Sequence, residues 1–154
     1  MKTKYVTSLE LSKQLKEAGV KQESEWYWTN YGNPNKETFY LVSKNGSEIV
    51  EIQQNFEFDG FKEEIYSAFH VGELGEMLPK YLRQDKEYFY LQTSLFPIDI
   101  STNNFWIAVS YQSVRNLNKE EFAIKGAEIP AMTADNEAEA RGKMVLYLKE
   151  NKLI

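Results

Sequence analysis

The sequence predicts an α+β domain, a mainly antiparallel sheet of about five strands with three helices packed on it, forming a single domain over residues 1–154. Three observations carry this. The apolar period switches between helical spacing and two-residue alternation several times along the chain. Asn45-Gly46 stands between two apolar runs, the strongest short-range signal for a hairpin. The length of 154 residues suits one domain, which at about this size buries roughly 68–70% of its unfolded surface and needs no staples.

The first helix is expected over residues 8–18. Thr7 and Glu10 have the spacing of a capping box, and Gly19 suits the left-handed position after the helix. Leu11, Leu15 and Ala18 give it one apolar stripe. Alternation then takes over. Residues 25–31 are bulky and aromatic, as strands prefer, and Gly32-Asn33-Pro34-Asn35 is a turn. Residues 39–44 and 49–53 form the hairpin about Asn45-Gly46, and residues 55–60 read as irregular. Val71, Leu74, Met77 and Leu78 mark a second helix that Pro79 ends or bends. Two further strands are expected at 87–94 and 105–111. Residues 116–132 carry no clear period beyond a short strand-like run at 121–125. The last helix, 137–151, starts at Asn136 with Glu139 in capping-box spacing. Ala140, Met144 and Leu148 form its core stripe, and Ala138 and Gly142 are small enough to admit another element.

Composition excludes several kinds of chemistry. The chain has three Trp, ten Tyr and nine Phe, but one His and no Cys. Without cysteine it has no disulfide, no thiolate nucleophile and no cysteine-ligated metal. The start of the sequence turns polar at once, unlike a signal peptide, and nothing approaches the ~18 apolar residues of a membrane span. A cytoplasmic protein with no membrane partner is expected. The net charge of −5 disfavours nucleic acid as a partner, which needs a basic patch.

No motif for catalysis, a cofactor or a metal stands out. His70 with Glu73 three residues on has the spacing of an acid–base pair. One histidine is too few for a usual ligand set, and a capping role at the start of the second helix is the better reading. The acids Asp59, Glu63, Glu64 and Asp99 fall in polar segments. Gly72-Glu73-Leu74-Gly75 has the letters of a nucleotide-clamping loop but carries a glutamate and sits in a helical period, so close packing accounts for it better. No Walker, dinucleotide or GxSxG pattern occurs.

The aromatics are the constellation that remains. Alternation puts Trp26, Trp28, Phe89, Leu91 and Ile107 on buried faces. It leaves Tyr27, Tyr40, Tyr88, Tyr90 and Trp106 on the opposite faces with polar neighbours. Tyr and Trp are favoured at interfaces for their large contact area and polar tips, so these five residues are the candidate partner-binding set.

Three segments resemble a family of small uncharacterised proteins of phages and prophages: 8–24 (SLELSKQLKEAGVKQES) followed by Trp26-Tyr27-Trp28, 68–79 (AFHVGELGEMLP) and 139–153 (EARGKMVLYLKENKL). Together they cover roughly a third of the chain. The resemblance implies a mobile-element origin and a compact α+β fold, and it brings no activity, cofactor or catalytic residue with it. The expectation is an accessory protein that binds a host or phage protein, with no cofactor and the balance against catalysis. The alternative is a small-molecule or nucleotide-binding domain, with or without carboxylate-based hydrolysis, seated between the sheet and the 55–60 loop.

Overall fold

The computed structural model describes residues 5–30, 38–44, 49–54, 64–84, 87–99, 104–113 and 129–154. The fold is α+β, and its strands are divided between two antiparallel sheets.

The first helix, α1 (Leu9–Glu17), is capped by Ser8 and not by Thr7. Ser8 Oγ accepts the Leu11 amide at 3.2 Å. Thr7 is fully buried and its hydroxyl is committed elsewhere, accepting the Phe69 amide at 3.1 Å and sharing a hydrogen bond with Ser12 Oγ. Leu11 occupies the position from which a capping-box glutamate would reach back. Glu139, far along the sequence, takes that role and accepts the Ser8 amide. The helix ends at Ala18, and Gly19 follows with φ 78°, as its place in the sequence requires.

The first sheet holds β1 (Trp26–Thr29), β2 (Thr38–Ser43), β3 (Ile49–Gln54) and β4 (Ile65–Ser67), in the order β3-β2-β1-β4. Its register sets Trp28 opposite both Leu41 and Tyr66. Trp28, Phe39 and Leu41 therefore share one face, which packs with Val6, Leu9 and Ala68 into a buried cluster. The Trp28 indole N–H donates to the Thr7 carbonyl at 3.0 Å, so its one polar atom is satisfied inside the core. On the same face, Lys13 and Lys16 of α1 lie over the Phe39 and Tyr66 rings at 4.8–5.7 Å. Burial, together with a hydrogen bond to the Glu64 carboxylate, holds the Tyr66 phenol far above its usual ionisation range.

A second helix, α2 (Val71–Met77), leads into the second sheet: β5 (Tyr81–Gln84), β6 (Glu87–Asp99), β7 (Asn104–Ser113) and β8 (Met132–Ala134). This sheet is a simple meander, β5-β6-β7-β8. The first sheet instead returns β4 to lie beside β1, so the two sheets do not share a strand order.

The last helix, α3 (Glu137–Glu150), starts at Asn136, whose side chain accepts the Glu139 amide at 2.8 Å. Ala140, Met144 and Leu148 are fully buried, as their spacing predicts, and so are Ala138 and Val145. That breadth matches its position, since α3 touches α1, α2, β7 and β8. Together with Leu11, Leu15, Leu74, Phe89, Val109 and Tyr111 it forms the larger core cluster. Gly142 is where α1 comes closest. A Cβ there would stand 2.7 Å from Leu11 Cδ2 and 3.0 Å from Thr7 Cγ2.

All five expected strands are present. The strands β4, β5 and β8 are additional, three or four residues each. The turn at 32–35, the Asn45-Gly46 tip, the 55–60 segment and the strand-like run at 121–125 lie outside the described residues.

Candidate functional site

The second sheet has two unlike faces. Pairing sets Phe89 beside Leu82, Leu91 opposite Tyr111, Thr93 opposite Val109 and Ile107 beside Ala134. This is the face that α3 covers, and Phe89, Val109 and Tyr111 are buried on it, with Leu82, Leu91 and Ile107 packed at its margins. Tyr111 donates its hydroxyl to the Pro79 carbonyl at 2.7 Å, and burial pushes its phenol up to about 12.

The outer face carries the opposite parity. Tyr81 pairs with Tyr90, which pairs with Gln112, and Arg83 pairs with Tyr88. Farther along, Gln92 stands opposite Ser110, and Ala108 lies between Ser94 and Thr133. Tyr81 is 65% exposed, Tyr88 53% and Trp106 49%. Tyr90 is half-buried and donates to Gln112 Oε1 at 3.0 Å. The Arg83 guanidinium lies over the Tyr88 ring, 5.7 Å from its centroid, within the reach of a cation–π contact. Among the described side chains of this face there is one cation and no carboxylate. Such a surface offers flat, rigid contact area with hydroxyl, amide and indole tips, suited to a partner's main chain and apolar side chains.

Of the five residues singled out in the sequence, Tyr88, Tyr90 and Trp106 share this face, with Trp106 paired to Phe96 farther along β6. Tyr27 and Tyr40 do not join them. They belong to the first sheet, where Tyr27 pairs with Val42 and Tyr40 with Thr29, because β1 and β2 pair with each other and not with β6 or β7. Both are half-buried, and the Tyr27 hydroxyl accepts the Ser24 amide at 3.1 Å. Their parity within each strand is as expected, but the single continuous face is not formed. On the core side Trp28 and Phe89 are buried, whereas Trp26, Leu91 and Ile107 are only partly so. Tyr81 and Arg83 join the face from outside the expected set. The signal was there in Tyr81-Leu82-Arg83-Gln84, which alternates, but four residues after a proline are too few to mark a strand.

His70 is a cap. Its Nδ1 accepts the Gly72 amide at 2.8 Å, while Glu73 accepts the His70 amide at 2.8 Å, completing a capping box. The Glu73 carboxylate also takes the Ser24 hydroxyl and the Glu25 amide, tying α2 to the start of β1. Gly72 leaves room for the capping imidazole, and Gly75 faces only the tip of Arg141. A Cβ on Gly72 would stand 2.6 Å from His70 Cε1, and one on Gly75 3.2 Å from Arg141 Nη1. Glu64 accepts the Tyr66 hydroxyl, and Asp59 and Glu63 lie outside the described residues. Among the described residues no cluster of three or more His, Asp or Glu side chains could hold a metal, and no helix is long and apolar enough to cross a membrane.

No family model matches the chain, and no match was found among curated proteins or solved structures.

Proposed function

We propose that this chain is an accessory protein of a phage or prophage that binds a host or phage protein in the cytoplasm, through the outer face of the second sheet and without catalysis. The observation that carries the reading is the exposure of Tyr81, Tyr88 and Trp106, between 49% and 65%, on one side of a sheet whose other side packs against α3 through Phe89, Val109 and Tyr111. Large aromatic side chains left in water on a rigid sheet are the residue types and the placement that binding hot spots use. The mobile-element origin rests on the three segments quoted above.

The test is a quantitative pull-down from host and phage-infected lysates, comparing the wild type with a Tyr81→Ala, Tyr88→Ala double variant. One prey should be enriched by the wild type and lost from the variant, because truncating hot-spot aromatics commonly costs 2 kcal/mol or more, about thirtyfold in affinity. The urea midpoints of the two proteins should agree. A prey retained by the variant would place recognition elsewhere. A variant that fails to fold would make these tyrosines part of the structure, not a surface.

A further inference from the structure

A cleft of about 310 Å3 opens beside the core face of the first sheet, lined by Tyr5, Val6, Trp26, Leu41, His70 and Val71. The sequence explains why these meet. Trp26 has the parity of Trp28 and, like Leu41, points to the core face. Val6 bridges to His70 across an isolated antiparallel pair, which brings the residues just before α1 against the α2 cap. Leu41 is buried and forms the floor, Trp26 is half-buried and forms a wall, and Tyr5 is exposed at the rim. Five of the six side chains are apolar or aromatic, and the sixth is an imidazole.

The hydrogen bonding of that imidazole decides what the cleft can hold. Nδ1 is an acceptor, since it takes the Gly72 N–H at 2.8 Å. In a neutral imidazole the other nitrogen then carries the proton. Nε2–H has no hydrogen-bond partner among the described residues, and His70 lines the cleft, so this donor is open to a ligand there. Gly72 fixes this arrangement, because a Cβ there would collide with His70 Cε1 at 2.6 Å. The Glu73 carboxylate accepts from the His70 amide, the Ser24 hydroxyl and the Glu25 amide, which fix it in place and leave the imidazole Nε2–H to another acceptor. The Gly72 amide in the first turn of α2 is taken by His70 itself.

We propose that this cleft binds a small aromatic carboxylate, its flat ring against Trp26 and the apolar walls and its carboxylate accepting from His70 Nε2–H. Ligand pockets run from about 300 to 1,000 Å3, so this one takes one or two fused rings. A carboxylate is favoured over a neutral carbonyl because a charge-assisted hydrogen bond is roughly twice as strong. The site uses β1, β2 and the α2 cap and nothing of the outer face of the second sheet, so it stands or falls apart from the protein-binding reading.

The test titrates 2-naphthoate into the full-length 15N-labelled chain and follows amide and indole resonances. Saturable shifts should centre on Val6, the Trp26 indole and Val71. The cation 2-naphthylmethylammonium, which keeps the ring but lacks the acceptor, should bind at least about tenfold more weakly. His70→Asn keeps a good capping side chain but removes Nε2–H, so it should fold with an unchanged urea midpoint and lose a similar factor. Val71→Phe fills the cleft and should abolish binding, and it decides the matter if His70→Asn does not fold. Equal binding of the two probes, unchanged affinity in both variants, or shifts confined to Tyr88 and Trp106 would overturn the proposal.

Discussion

Replacing Gly142 with alanine sets two effects of similar size against each other. Glycine in a helix interior costs about 0.8–1.0 kcal/mol relative to alanine, so by propensity alone the change should stabilise α3. Against that, the new methyl would arrive 2.7 Å from Leu11 Cδ2, 3.0 Å from Thr7 Cγ2 and 3.4 Å from Leu11 Cγ. Neither neighbour can yield freely. Leu11 is 4% exposed inside the larger core cluster, and Thr7 is fully buried with its hydroxyl bonded to the Phe69 amide and Ser12. Overpacking a core of this kind costs roughly 1–3 kcal/mol, so a net loss of about 1 kcal/mol is expected. Gly75→Ala is the internal control. Its methyl would meet only the far end of the Arg141 side chain at 3.2 Å, and it should be neutral or stabilising. Urea denaturation reads both, with the slope of the transition unchanged if the native state stays compact. A double-mutant cycle adds the mechanism. In a Leu11→Ala background the clash is largely removed, so Gly142→Ala should become neutral or favourable there. A Gly142→Ala protein more stable than the wild type would refute the reasoning, since α1 would then have moved aside at no cost. The α1–α3 contact would be a loose one.

Met144→Ala and Leu148→Ala should each cost about 2–5 kcal/mol in the same assay, because both side chains are fully buried under the second sheet; a loss below about 0.5 kcal/mol would make α3 peripheral. Tyr111 should give the protein an alkaline limit. Its phenol is raised from 10.0 to about 12, so the unfolded chain ionises first, and the stability it contributes is intact below pH 10.0 and lost as pH rises towards 12. Urea midpoints on either side of pH 10.0 should fall more in the wild type than in Tyr111→Phe, and parallel curves would show that the burial of this hydroxyl carries no such linkage.

The fold class was legible because its strongest signals are local. The β2–β3 pairing follows from Asn45-Gly46, and the paired Val42 and Ile49 lie close on either side of that dipeptide. The last helix announces itself through Asn136, Glu139 and a stripe of Ala140, Met144 and Leu148. The first cap shows how a local signal loses. Thr7 and Ser8 are both good capping residues, and Thr7 has a glutamate at the right distance. A tertiary demand settles the contest, because the Thr7 hydroxyl satisfies the buried Phe69 amide and Glu139 satisfies the Ser8 amide from another helix. The strands β4, β5 and β8 were invisible for a related reason. Three or four residues cannot display an alternation distinguishable from coil, and each becomes a strand by pairing with β1, β6 or β7.

The aromatic face was half legible, and the missing half has one cause. Alternation assigns each side chain to a side of its own strand, but which strands share a sheet is set by long-range pairing. Tyr27 and Tyr40 were therefore given the right parity and the wrong neighbours, while Tyr81 and Arg83 arrived on a strand too short to read. Exposure within the face depends on the same long-range facts. Tyr90 lies between two paired neighbours, Tyr81 and Gln112, and is half-buried. Trp106 pairs with Phe96 just past the last residue that β8 reaches, Ile107, and is 49% exposed. Leu95 has the parity of the buried side, yet it is 66% exposed, because the β6–β7 ribbon there runs on beyond the four residues of β6 that β5 pairs with. What leaves an aromatic or a leucine in water on this sheet is the point at which the neighbouring strand stops. No pattern inside β6 or β7 encodes where another strand ends.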